Sequence, residues 1–453
     1  MKKTKLSLHA SLFGERDPSA VIAFSRDRTF LLKDLQSNII RLARFLTDFQ
    51  GEKVAVCLNS AWEFTIAFAA TVYAGKIPVL LGNFTEKTIL QDQDKYHLLL
   101  TTLDQETIGL TNLNAYCPKD QDWNFQEPDP NSAIIMYTSG STGTAKEIRK
   151  TLGIMEKEAE LFRNTFGDKL PEDCYLLATV PPFHMYGLTF RIFFPLLNHI
   201  PMEDDLIHYT EELCSPPGIA GKPPVILVSS PAFLSNIDTD LTTPDFRLVL
   251  SAGAPLSADV AQSFCKWSRT AVLEIYGSTE TGIMAYRRNC GNDELFTPFP
   301  EISFQEENKQ FYITTPLCLQ PAPLDDILEF SGSCFRIKGR SDRILKIAEK
   351  RISLNLIEKY ARELENIEDA AALGIEKKNR VFIGLAVATP LASSLNRNEQ
   401  LRYNFIKMLR AHMKDYLPGV ALPRYIRIVE HFPVNTMGKK IHANLRELFY
   451  DKS

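Results

Sequence analysis

Short, unbroken apolar runs alternate along this chain with longer stretches in which apolar positions recur at helical spacing. The runs at residues 20–24, 54–58, 77–81, 98–102 and 133–137 read as strands, those at 54–58 and 133–137 as buried ones. Leu35, Ile39, Leu42, Ala43 and Leu46 fall on one helical face, and residues 61–73 predict a further helix that Gly75 ends. The alternation continues with helices at 154–166 and 258–267 and strands at 175–180, 225–229, 247–250 and 272–275. Residues 116–131 are polar and proline-bearing and predict a loop. Strand–helix–strand succession of this kind is the signature of an α/β architecture.

The pattern changes after residue 304, where short β segments follow one another up to residue 335. A break comes at Gly339-Arg340-Ser341-Asp342. Beyond it lie a strand at 344–347, a helix at 354–363, strands at 370–374 and 381–387, a helix at 399–413 and a strand at 424–429. That is a compact α+β pattern. A chain of 453 residues is too long for one core. The expected organisation is a large α/β domain over 1–341 and a small α+β domain over 342–453.

Composition is ordinary for a globular protein, with 45% hydrophobic and 23% charged residues, and a net charge of −4 gives no sign of a nucleic-acid partner. The charge is unevenly spread. From Ser341 onward there are 20 Lys and Arg against 13 Asp and Glu, and before it 31 against 42. The C-terminal part is therefore expected to have a partner surface of its own. The eight cysteines form no C-x-x-C or zinc spacing and predict reduced thiols in a cytoplasmic protein. The basic start, Met1-Lys2-Lys3-Thr4-Lys5, is not followed by the apolar core of a secretion signal. The apolar stretch 64–75 is too short to span a bilayer, and 175–197 is interrupted by Pro181, Pro182, His184 and Arg191, so no membrane span is predicted.

Chemistry concentrates where predicted strands end. After 133–137 comes Thr138-Ser139-Gly140-Ser141-Thr142-Gly143-Thr144-Ala145-Lys146. Glycines let backbone approach an anion, hydroxyls donate to phosphoryl oxygens, and a lysine neutralises charge, so the stretch suits a polyphosphate. It is not a Walker A loop, because Ala145 stands where the second glycine is required. It is not a nucleophile elbow either, since Ser139 stands two before Ser141. Three more strands run into Phe183-His184-Met185-Tyr186-Gly187, Ser251-Ala252-Gly253-Ala254-Pro255-Leu256 and Tyr276-Gly277-Ser278-Thr279-Glu280-Thr281. In α/β sheets, ligands collect at the carboxyl ends of strands.

Taken together these stretches resemble the adenylate-forming enzymes, which include acyl-CoA synthetases, nonribosomal-peptide adenylation domains and firefly luciferase. The resemblance extends to Tyr73-Ala74-Gly75-Lys76-Ile77-Pro78-Val79, to Gly339-Arg340-Ser341-Asp342-Arg343-Ile344-Leu345-Lys346 and to Pro433-Val434-Asn435-Thr436-Met437-Gly438-Lys439, all in the family's order. It implies a large multi-sheet adenylating domain followed by a small mobile lid domain that carries a catalytic lysine. The implied reaction uses ATP and Mg²⁺ to convert a carboxylic acid to acyl-AMP. The acyl group then passes to the phosphopantetheine thiol of coenzyme A or of an acyl carrier protein.

By the same resemblance, Thr138, Ser139, Gly140, Ser141, Thr142, Gly143 and Lys146 grip the β- and γ-phosphates. Glu280 with Thr138 holds Mg²⁺, a hard cation that takes oxygen ligands. Tyr276 stacks on adenine within the nucleotide motif that continues through Gly277 and Ser278, Ser251, Ala252, Gly253 and Ala254 line the adenine slot, and Thr279 contacts the α-phosphate. Asp326 binds the ribose with Arg340, Asp325 being the alternative carboxylate. Lys439 is the catalytic cation between carboxylate and α-phosphate, His184 lines the acyl pocket, and Asp342 is the hinge of the lid.

The sequence departs from the family in four places. The phosphate loop ends Ala145-Lys146-Glu147 instead of Pro-Lys-Gly, which sets an extra negative charge beside it. The ribose motif is Leu324-Asp325-Asp326. Glu349 stands where the family has a glycine beside the pantetheine arm, and Val434-Asn435 replace a basic residue and a threonine. The compact large domain favours an aryl or a short-to-medium acyl acid. The basic C-terminal domain suits an acidic carrier protein or the phosphates of coenzyme A. The competing expectation is a weakened relative that binds nucleotide or docks a carrier without turnover.

Overall fold

The structure is a computed structural model and describes residues 6–82, 89, 92–101, 126–139, 145–167, 170, 173–215, 223–291, 294–308, 310–318, 320–340, 343–347, 350–377, 380–417, 419–434, 440 and 442–450. Two sheets dominate it. Their strands in chain order are β1 (Val21–Ser25), β2 (Arg28–Leu31), β3 (Lys53–Cys57), β4 (Ile77–Leu80), β5 (Leu98–Thr101), β6 (Ala133–Ser139), β7 (Ala145–Thr151), β8 (Tyr175–Ala178), β9 (Met202–Glu203), β10 (Val225–Ser229), β11 (Phe246–Ser251), β12 (Val272–Ser278), β13 (Gly282–Asn289) and β14 (Thr297–Pro298).

The smaller of the two runs β5-β3-β4-β6-β7, and the larger runs β14-β13-β12-β11-β10-β8-β9-β1-β2. The central strands of both are parallel, which is why several of them, such as β8 and β10, read as near-continuous apolar runs. Antiparallel hairpins close the edges: β6 turns back as β7, and β12 turns back as β13.

The helix Ala61–Tyr73 starts from a Ser60 cap and is buried at nearly every position, packed between the helix Leu32–Asp48 and the strands β3 and β4. The helix Leu152–Phe166 starts from a Thr151 cap and packs Phe162 against Phe166, Phe190 and Phe194. Burying one such ring stabilises by about 1.5–3 kcal/mol.

Short strands from Ser303 to Arg340 follow, and then an α+β unit. It has a three-stranded sheet of Asp369–Lys377, Arg380–Ala388 and Tyr425–Val429 with the helices Leu354–Arg362 and Glu399–Lys414. The buried apolar clusters divide in the same way. Those of the two large sheets have their last buried member at Phe335, and those of the α+β unit have their first at Ile352. The chain is thus a mixed α/β protein of several sheets, as the hydrophobic pattern predicts. Most of the predicted loop at 116–131 lies outside the described residues.

Three expectations need correction. The strand predicted at 272–275 continues through Tyr276-Gly277-Ser278, so half of an expected loop is sheet. Gly277 permits this pairing, since a Cβ there would meet the Gly282 carbonyl at 2.5 Å. Residues 145–151, given no element by the pattern, form the edge strand β7, whose charged alternation suits an edge.

Third, the cysteines are not all free: Cys265 and Cys290 form a disulfide, with Cα atoms 5.5 Å apart. The turn after β13 sits tightly on the helix Ala258–Ser268, where a Cβ at Gly291 would meet the Gln262 side chain at 2.7 Å. Packing across 25 residues brings these thiols together, and motif spacing cannot see it. Among the described residues, no helix is long and apolar enough to cross a membrane.

Candidate active site

Two hairpin ends approach each other at the carboxyl ends of the parallel strands. On β7, Lys146, Ile148 and Lys150 share one face and Glu147 and Arg149 the other, because side chains alternate along a strand. The Lys146 ammonium donates to the Glu280 carboxylate across 3.0 Å. Glu280 lies in the turn between β12 and β13, so this contact joins the two sheets. Burial opposes ionisation of Glu280, but the hydrogen bond from Lys146, its own main-chain amide and Ser278 outweigh it and hold its pKa below the usual range.

A carboxylate kept ionised, half open to solvent and hydrogen-bonded to a displaceable lysine, fits a hard divalent cation. Glu280 would supply that ligand. Thr138 and Ser139 end β6 beside this hairpin; Gly140, Ser141, Thr142 and Gly143 lie outside the described residues.

Glu147 does not oppose the phosphate lysine. It points to the other face of β7, where Arg149 donates to one oxygen at 2.8 Å and the Tyr137 hydroxyl to the other at 2.9 Å. Those bonds, Arg149 first, lower its pKa. Burial, with the bond to Glu147, pushes Tyr137 up to about 12. Lys95 lies 4.4 Å over the Tyr137 ring. The extra negative charge expected beside the loop is thus taken up locally.

On the same strand as Ser278, Tyr276 is half-buried and its hydroxyl donates to the Asp326 carboxylate at 2.6 Å. Its ring lies 5.8 Å from Phe296 and 5.9 Å from Phe335. Burial and the neighbouring carboxylate both raise its pKa, so it stays a hydrogen-bond donor. Asp326 and Arg340 face each other in the register of the hairpin Asp326–Ser331 and Cys334–Arg340, while Arg340 donates to Asp325 at 3.0 Å. The two neighbouring aspartates thus differ: Asp326 sits with Tyr276, and Asp325 is the partner of Arg340.

Ser251 ends β11 with its side chain buried; Ala252 is buried, and Gly253 and Ala254 are exposed, Gly253 with φ +91°. Thr279 is half-buried in the β12–β13 turn. His184 follows β8 and packs its ring 4.8 Å from Phe183; burial pushes its pKa down to about 4, so its imidazole is neutral. Two residues on, the Tyr186 hydroxyl is buried beside the Ser229 amide without hydrogen-bond geometry to any described residue. Lys439, the expected hinge residue Asp342, and Glu349 lie outside the described residues. The structure therefore brings together Lys146 with Glu280, and Tyr276 with Asp326 near Arg340.

Two buried charged residues beneath the turn, Lys150 and Glu158, were not expected from the sequence. The one available signal was a lysine and a glutamate placed at apolar positions of β7 and of the helix Leu152–Phe166.

Two large sheets whose strand ends meet at the β12–β13 hairpin define a multi-sheet α/β fold. The family model "AMP-binding enzyme" matches residues 13–301, and the chain belongs to that family. Among curated relatives it is similar to the anthranilate–CoA ligase of Pseudomonas aeruginosa, at 24% identity over 95% of this chain and 94% of that one. It is also similar to the 3,4-dihydroxybenzoate–[aryl-carrier protein] ligase of Bacillus anthracis, at 20% identity over 86% of this chain and 89% of that one. The solved o-succinylbenzoate CoA synthetase of Bacillus subtilis, bound to its acyl-adenylate, shares the fold with a TM-score of 0.78 at 16% identity, over 100% of this chain and 99% of that one.

Proposed function

We propose that this protein is an AMP-forming acid–thiol ligase. It joins a carboxylic acid to the α-phosphate of ATP, releases pyrophosphate, and passes the acyl group to a phosphopantetheine thiol. One observation carries this reading: a single hairpin presents Tyr276, with Asp326, and Glu280, with Lys146, a few residues apart. That spacing suits a nucleoside at one end and its polyphosphate at the other.

The reaction brings a carboxylate anion to a polyanion, so positioning and positive charge are what the protein must supply. Tyr276 and Asp326 hold the nucleoside, with Arg340 close by. Lys146, released from Glu280, binds the departing phosphates with the Thr138–Gly143 loop. Glu280 and Thr138 would hold Mg²⁺, which would supply charge neutralisation at the phosphates. Neutral His184 shapes the acid pocket without adding charge. Lys439 places its ammonium between the carboxylate and the α-phosphate, carried by a lid of residues 342–453 that turns about Asp342. The separate apolar clusters on either side of this boundary support the division.

The acid is an aryl acid or a short-to-medium acyl acid. The two ligases of aromatic acids among its relatives support the first. The acceptor is coenzyme A or a carrier protein. For an acidic carrier, the helix Glu399–Lys414 offers an outer face with exposed Tyr403, Lys407, Met408 and Lys414. Dependence on ATP suits the cytoplasm.

Pyrophosphate exchange with ATP, Mg²⁺ and a panel of carboxylic acids, repeated with each thiol and read by mass, tests the proposal. Exchange with one acid class is expected. Thermal stabilisation by ATP without exchange on any acid would replace the ligase with a binding module.

A further inference from the structure

Lys150 and Glu158 are 3% and 1% exposed, and no step above uses them. Burying a charge is costly unless its hydrogen-bonding groups are matched. Here they are matched by the turn that carries Glu280. The Lys150 ammonium donates to the main-chain carbonyl of Glu280 at 2.7 Å, where the Cys318 thiol also donates at 3.2 Å. One Glu158 oxygen accepts from the Ile283 amide at 2.7 Å and the other from the Thr189 hydroxyl at 2.7 Å. Gly282, between these contacts, has φ +72°, and a Cβ there would come within 2.9 Å of the Glu158 carboxylate. The turn is seated directly on this pair.

Lys146 and Lys150 stand on one face of β7 and hold the same residue in two ways. Lys146 holds its side chain in an exposed ion pair, which water and ions weaken. Lys150, whose side chain is buried, holds the Glu280 backbone carbonyl at 2.7 Å. We infer that Lys150, supported by Glu158, is a positioning residue that presents the Glu280 carboxylate to the divalent cation and keeps the metal-bearing hairpin docked on the phosphate-bearing one while Lys146 changes partners. This rests on Glu280 being the metal ligand. Residues one step behind a metal ligand typically alter affinity about 10–100-fold when removed.

Lys150→Met alone removes a cation that helps offset the burial of Glu158, so Lys150→Met/Glu158→Gln carries the test beside it. Mn²⁺ binding is titrated by electron paramagnetic resonance with a non-hydrolysable ATP analogue present. Pyrophosphate exchange is measured in parallel against Mg²⁺ and against the acid. The double variant, folded by circular dichroism, should bind Mn²⁺ about tenfold more weakly and need about tenfold more Mg²⁺, with the KM for the acid within about twofold of wild type. Wild-type Mn²⁺ affinity in the folded double variant overturns the inference and makes the pair a filler of the core. Failure of the wild-type protein to bind Mn²⁺ with the analogue overturns instead the assignment of Glu280 as the metal ligand.

Discussion

The proposed adenosine side and the proposed phosphate side of this site grow from one hairpin by opposite means. At Tyr276 the donor is half-buried, backed by Phe296 and Phe335, and bonded to Asp326 at 2.6 Å. At Glu280 the partner is Lys146, in a pair whose side chains stay 60% and 42% exposed. The first contact is ready before a ligand arrives; the second has to open for one. The difference follows from the proposed chemistry. The nucleoside keeps its shape throughout, so a fixed recess costs nothing during the reaction, whereas the polyphosphate is broken and leaves. An exposed ion pair contributes at most about 1 kcal/mol and is easily exchanged.

The largest expected effect comes from a residue on neither side. Lys439→Ala should lower acyl-AMP formation by about 100-fold or more, the cost of one transition-state donor, while sparing thioester formation from supplied acyl-AMP. Equal loss of both half-reactions would remove Lys439 from the first. On the phosphate side, Glu280→Gln should raise the Mg²⁺ concentration for half-maximal exchange by about tenfold or more, with ATP binding in the absence of metal little changed. An unaltered Mg²⁺ curve would erase the contrast between the two sides.

On the adenosine side, Tyr276→Phe removes a hydrogen bond to a carboxylate and nothing else. At about 1.5 kcal/mol this should raise the KM for ATP by about tenfold with kcat nearly unchanged. A fall in kcat with KM constant would mean that Tyr276 acts on the transition state.

Buried His184 offers a pH test. Its pKa is pushed down to about 4, whereas in the unfolded chain it is about 6.5. The folded state therefore holds fewer protons, and this contribution to stability is full above pH 6.5 and is lost as pH falls through 4. His184→Gln should flatten that part of the Tm–pH curve; parallel curves for variant and wild type would contradict the burial argument. The smallest effect is expected at Glu147→Ala. Its charge is already taken up by Arg149 and Tyr137 on the far face of β7, so the KM for ATP should stay within about twofold of wild type. A marked fall in KM would show that Glu147 does repel the phosphates.

Much of this molecule is legible in the amino-acid order, because local rules settle it. Helix Ala61–Tyr73 begins and ends where its cap and Gly75 put it, and β3 and β10 form on the apolar runs expected at 54–58 and 225–229. The order of strand-end motifs, from Thr138 to Glu280, is likewise a property of the sequence. What the tertiary structure decided are contacts between segments far apart in the chain. Lys146 meets Glu280 across 134 residues, Tyr276 meets Asp326 across 50, and Cys265 meets Cys290 across 25. Asp325 and Asp326 are indistinguishable by composition, and only the folded side-chain contacts give Asp325 a bond from Arg340 and Asp326 a bond from Tyr276. Lys150 reads as one more charge after a loop until β7 turns it inward under Glu280. Hydrophobic periodicity encodes which face of an element is buried; which distant backbone then meets that face is set by packing, and the chemistry of the site rests on those meetings.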